Sequence, residues 1–187
     1  NGSEIAEAVG VGAIVFYYLT NSRIKDNDFS LDDALSYLKT VKSLIREKRA
    51  LLDYEVLYGQ VMLENGFPEK AKAHFETAFS KCEDSEKTAL VIGIAYYEHE
   101  YYQDAANILS RLAEIPDSIT ANFAHPYLAL CYRHLEDREL YLKYLLLATK
   151  NCTDLTAQLF EEYFPGVKAE DLYFYAFKDA YGYFPKE

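Results

Sequence analysis

Cys131-x-x-His134 sets a thiol and an imidazole one helical turn apart, with His125 and Cys152 as the other soft donors nearby in sequence. Such a set could ligate zinc. The paired knuckles that mark zinc sites are missing, however, and these residues read as ordinary core and surface positions. A Cys–His nucleophile needs a third group to orient its base, and none is indicated. The carboxylate pairs Asp32-Asp33 and Glu161-Glu162 are consecutive, so they diverge around a helix. They read as solvated faces and first-turn charges, with Ser30 a plausible cap ahead of Asp32. There is no phosphate-cradling Gly loop, no His-Glu-x-x-His and no calcium loop. The expectation is a chain that is not an enzyme and has no cofactor and no metal site.

The elements that carry these residues are helical by composition. Of 187 residues, 18 are Tyr and 11 are Phe, but only 8 are Gly and 5 are Pro, so turns are few and apolar stretches long. Half the residues are hydrophobic and 26% are charged, the balance of a soluble globular protein and not of a disordered chain. The formal net charge of −11 disfavours nucleic acid as a partner, because phosphate binding needs cations. Three sparse cysteines, Cys82, Cys131 and Cys152, argue against a disulfide framework and suit a reducing, cytoplasmic setting. Glu4 and Glu7 stand where a signal peptide would be basic. The uncharged run from Ala8 to Thr20 falls short of the ~20 residues of a membrane span, so no membrane partner is expected. Charge is uneven: Lys39, Lys42, Arg46, Lys48 and Arg49 form a basic stretch, and residues 82–117 are strongly acidic. Both read as solvated helix faces.

An internal period organises the middle of the chain. Gly59, Ala71, Phe75 and Ala78 recur thirty-four residues later as Gly93, Ala105, Leu109 and Leu112. A third copy, after two extra residues near Asp117 to Ala121, gives Ala129, Tyr141, Leu145 and Ala148. The period predicts helices over 51–65, 68–81, 85–98, 102–114, 121–135 and 138–150. Asn65-Gly66-Phe67-Pro68 reads as a helix stop followed by a start. Further helices are expected over 153–163, capped by Thr153 or Asp154, and over 169–181. At the other end, residues 4–20 and 30–46 read as an irregular helix pair.

This spacing resembles the tetratricopeptide repeat, W-x-x-L-G-x-x-Y followed by A-x-x-x-F and P. The matching stretches are Glu55-x-x-Tyr58-Gly59-x-x-Met62 with Ala71-x-x-x-Phe75, and Ala89-x-x-Ile92-Gly93-x-x-Tyr96 with Ala105-x-x-x-Leu109. The third is His125-x-x-Leu128-Ala129-x-x-Tyr132 with Tyr141-x-x-x-Leu145. The Trp is absent from all three, and Tyr141 stands where a small residue is usual. The resemblance implies an all-α fold: a short right-handed solenoid of antiparallel helix pairs. Residues 1–49 would be the irregular N-terminal pair, 50–155 three repeats and 156–187 capping helices, in one compact unit.

In that family the first helix of each pair lines a concave groove. The corresponding positions here include Val56, Gln60 and Leu63, then Leu90, Ile94 and Tyr97, then Phe123, Leu130 and Arg133. Some members grip a peptide's terminal carboxylate with Lys and Asn, which Val56 and Gln60 replace. The groove is therefore apolar and aromatic, and the expected function is a scaffold that binds an apolar or aromatic peptide or protein segment. The chain's own tail, from Tyr173 through Phe184, is a rival occupant. The oligomeric state is left open.

Residues 4–36 resemble a different family. Ala6-Glu7-Ala8-Val9-Gly10-Val11-Gly12-Ala13-Ile14, Leu19, Asn21-Ser22-Arg23-Ile24-Lys25-Asp26 and Phe29 look like the segment of arginyl-tRNA synthetases that joins the catalytic domain to a helical anticodon-binding domain. That family's nucleotide-binding signatures are absent, so the resemblance implies no arginine activation. It does supply an alternative function, an RNA-binding helical domain allied to synthetase machinery.

Overall fold

Each turn between paired helices must satisfy the carbonyls that the first helix leaves without partners, and among the described residues that problem is solved the same way at three turns. The computed structural model describes residues 48–82 and 84–185; every regular element among them is an α-helix, and none is a strand. The expected N-terminal helix pair and most of the basic stretch lie outside the described residues. The chain divides into two units, residues 1–83 and 84–187.

The first unit carries α1 (Lys48–Glu64) and α2 (Pro68–Lys81), which pack against each other. Gly66 adopts φ 78°, its N–H donates to the Leu63 carbonyl, and the Phe67 N–H reaches back to the Met62 carbonyl at 2.8 Å. This is a Schellman closure, with Pro68 opening the next helix where its missing N–H costs nothing. The pair closes tightly because Gly59 has no side chain. A Cβ there would lie 2.6 and 2.7 Å from Cδ1 and Cζ of Phe75, so the ring occupies the space the glycine leaves.

The second unit carries α3 (Ser85–Glu98), α4 (Tyr102–Ala113), α5 (Ile119–His134), α6 (Arg138–Asn151), α7 (Thr153–Phe160) and α8 (Leu172–Tyr181). Helices that are neighbours in sequence pack together from α3 to α7; in addition α3 packs on α5, α7 on α5, and α8 on α6. The α3–α4 turn repeats the first closure: Glu100 has φ 66° and the Tyr101 N–H donates to the Tyr96 carbonyl at 2.9 Å. In the α5–α6 turn Glu136 has φ 60° and the Asp137 N–H donates to the Tyr132 carbonyl at 3.0 Å. Gly66, Glu100 and Glu136 are thirty-four and then thirty-six residues apart, so the period seen in side chains is also a period in backbone hydrogen bonding. Gly93 repeats the close approach of Gly59, since a Cβ there would sit 2.5 Å from Leu109 Cγ. In the third copy Ala129 and Leu145 are both fully buried.

Side-chain caps fix three helix starts: Asp84 accepts from the Lys87 N–H, Ser118 from the Ala121 N–H and Asp137 from the Leu140 N–H, each at 3.0 Å. Ser118 also donates to the Glu86 carboxylate, tying the loop before α5 to α3. The expected cap of α7 is different. Cys152 holds that position without a side-chain bond, and Thr153 instead donates to the Thr149 carbonyl at 2.9 Å, because α6 runs almost directly into α7. The helix then stops at Phe160, earlier than its apolar pattern suggests, and turns follow to the left-handed Gly166.

Candidate functional site

On α1, in the first unit, Val56 and Gln60 are half-buried and Leu63 is buried. Beside them lies a polar cluster that joins buried Glu55 to the partly exposed His74 and Lys81. Glu55 is buried; one carboxylate oxygen lies 2.6 Å from His74 Nδ1 and the other 3.7 Å from Lys81 Nζ. The His74 ring stacks on Tyr58 at 3.9 Å. A buried carboxylate needs such partners, and it occupies the position where the repeat pattern has Trp.

In the second unit, Leu90, Ile94 and Tyr97 follow one another at four- and three-residue steps and share one face of α3, each half-buried. Phe123 on α5 is 42% exposed, whereas Leu130 on the same helix is fully buried and belongs to the core. Tyr97 joins the two helices: its ring meets Tyr127 edge-on at 5.6 Å and leans on Tyr102 at 5.8 Å. Burial, with the Tyr163 hydroxyl second, raises the Tyr97 pKa and keeps the phenol protonated.

Tyr163, from the turn after α7, gathers the end of α5. The Arg133 guanidinium lies over its ring at 4.1 Å, and its hydroxyl is 3.2 Å from His134 Nε2. His134 is stacked on Tyr102 at 4.1 Å. Burial and then Arg133 lower the His134 pKa, against a smaller opposing pull from Glu100 and Glu162. Of the residues expected to line a groove, Tyr97 and Arg133 thus share Tyr163 as a neighbour.

The other side of Arg133 faces a cavity of about 310 Å³ between the end of α5, the start of α6 and α8. Arg138, Glu136, Tyr141 and Asp179 also line it. Asp179 Oδ2 lies 3.4 Å from Arg133 Nη2, and Arg138 sits 5.8 Å from the centre of the Tyr181 ring. Tyr141 is 2% exposed and stacks on Phe160 at 6.4 Å. Tyr141 Oη and Arg133 Nε are both buried, and the tyrosine and arginine side chains are neighbours. Burial raises the Tyr141 pKa and outweighs the lowering effect of Arg133. The sequence pattern singled out Arg133 but not its companions. The one available signal was Tyr141, a large residue at a position that is Ala71 and Ala105 in the other copies.

The cysteines go to separate environments. Cys131 is fully buried and burial pushes its thiol up to about 12, while Cys82 and Cys152 are half-buried. Among the described residues no three His, Cys, Asp or Glu side chains come together as a metal-binding group. No described helix is long and apolar enough to cross a membrane. Of the expected groove residues, Arg133 meets the tail through Asp179, while Phe174, Tyr175, Tyr183 and Phe184 remain exposed.

No family model matches this chain. No solved structure matches it either. A stretch of 34 residues is 56% identical to part of an arginine–tRNA ligase from Ligilactobacillus salivarius (strain UCC118). It covers 18% of this chain and 6% of the ligase, and this short similarity is what stands behind the synthetase resemblance.

Proposed function

We propose that the chain is a non-catalytic interaction module built from tetratricopeptide-like helix pairs, and that it receives an apolar or aromatic segment of a peptide or protein. The observation that carries this reading is the turn geometry recurring at Gly66, Glu100 and Glu136 in step with the small residues Gly59, Gly93 and Ala129. Repeated helix pairs favour stacking into a right-handed solenoid of antiparallel pairs, which leaves extended faces free for partners. In the second unit Leu90, Ile94, Tyr97 and Phe123 offer apolar anchors of the kind that helix-in-groove binding uses.

Selection of a random peptide display library on the purified chain tests the reading. Enriched peptides should carry apolar or aromatic anchors and bind with little salt dependence, because screening weakens ion pairs and not apolar burial. Leu90→Ala and Phe123→Ala should each weaken them roughly tenfold while leaving the circular dichroism spectrum unchanged. Failure to enrich any peptide, or binding indifferent to both substitutions, rejects the proposal. The ligase similarity favours a second reading, an RNA-binding helical domain. The net charge of −11 opposes it, and a salt-sensitive gel shift with tRNA would establish it.

A further inference from the structure

We propose that the groove between α3 and α5 receives a cationic segment, one whose apolar anchors are followed at one end by lysine or arginine. The site is the groove of the interaction-module reading, on which this assignment of charge rests. Two contacts fix it. At one end the Glu86 carboxylate accepts a hydrogen bond from Ser118, the residue ahead of α5. At the other end the Tyr97 ring meets Tyr127 at 5.6 Å. The two helices therefore run side by side in the same direction from Glu86 to Tyr97, about 16 Å of helix. Between these ends Leu90 and Ile94 on α3 are half-buried, and Ile119 and Phe123 on α5 are exposed, so the strip is apolar.

Charge is unequal along the strip. At the Ser118 end Lys87 is neutralised by Asp84 at 3.2 Å, and Glu86 is engaged by Ser118. At the Tyr127 end acids gather around the tyrosines that Tyr97 touches. Burial and then Glu98 raise the Tyr127 pKa, and burial and then Glu100 raise that of Tyr102. Glu100 and Glu162 also act on His134, which stacks on Tyr102. Glu98, Glu100 and Glu162 are exposed, and among the described residues none of them pairs with a Lys or Arg. Arg133, the cation at this end of α5, is held by Asp179 and the Tyr163 ring.

Unpaired carboxylates beside an apolar strip repel phosphate and favour ammonium and guanidinium groups. The half-buried rings of Tyr102 and Tyr127 add aromatic surface, on which such a cation is further stabilised. Exposed ion pairs contribute little each. The apolar anchors therefore keep most of the affinity, and the charge decides between partners.

The test sequences the pool of display-library peptides enriched on the purified full chain. Lysine and arginine should be enriched over the starting library, aspartate and glutamate depleted, and the basic residues gathered on one side of the apolar anchors. The most enriched peptide is then synthesised twice, once as selected and once with every basic residue replaced by glutamine. The basic form should bind roughly fivefold more tightly. This ratio should fall towards one on the double variant Glu98→Gln, Glu100→Gln, with the affinity of the glutamine form and the circular dichroism spectrum unchanged. Sodium chloride at about 1 M should reduce the ratio on the native chain in the same way. An enriched pool without basic bias, or a basic preference that survives the double variant, overturns the inference and leaves the interaction-module reading standing. A pool that enriches nothing removes both. Self-association of the chain in sedimentation velocity that the basic peptide reverses would make a second copy the occupant, and would overturn the inference as well.

Discussion

His125 is 6% exposed, its Nδ1 has no hydrogen-bond partner, and burial lowers its pKa below 6.5. The unfolded chain therefore takes up a proton near pH 6.5 while the folded chain resists it, so stability is full above that pH and falls as the pH drops below it. The urea midpoint should be flat from pH 8 to 7 and decline from about 6.5 downward. His125→Phe should make that decline shallower, with the His134 contribution, shifted in the same direction, remaining. Glu55 occupies the equivalent place in the first repeat and meets burial differently, with His74 and Lys81 as partners. These two polar replacements of the pattern's Trp could be read from the sequence, but how each is accommodated could not. The partners of Glu55 lie on α2, and the identity of a partner depends on which faces pack. The polar cavity shows the same limit. Tyr141 was visible as a misfit in the repeat, whereas Asp179, forty-six residues from Arg133, comes near it only because α8 docks on α6.

At the scale of the element, the helix pairs are held by a missing side chain opposite a large one. Gly93→Ala should cost about 1–3 kcal/mol by forcing Leu109 to move. Leu109→Ala should cost about 2–5 kcal/mol by leaving a cavity. The double variant should lose less than the sum of the two, because the new methyl group enters the space that the leucine vacates. Denaturant midpoints of the four proteins measure this coupling, and strict additivity would mean that the two positions are not in contact. The turns offer a second check. Glu100 pays the steric cost of a left-handed conformation that Gly66 avoids. Glu100→Gly should raise stability by up to about 1 kcal/mol, less the entropy gained by the unfolded chain. Helix limits were largely legible, since Pro68, Gly66 and the repeat spacing mark them locally. The start of α7 was not, because Thr153 bonds backwards to α6 instead of forwards as a cap.

At the scale of the whole molecule, the division after Glu83 falls within the stretch whose period suggests three repeats. The second unit has its own core, with Ile92, Leu109, Leu128, Leu130, Leu145, Phe160 and Leu172 all at or near zero exposure. A chain of residues 84–187 should therefore fold alone, with cooperative thermal unfolding and a helical circular dichroism spectrum. A non-cooperative melt would show that this core needs the preceding unit. The same core encloses Cys131, and its burial gives the protein a built-in clock. A thiol without exposed surface, and with ionisation suppressed, reacts with a maleimide only during the moments when its surroundings part. Its labelling rate in native buffer, set against those of Cys82 and Cys152, measures how often the interior of this unit breathes.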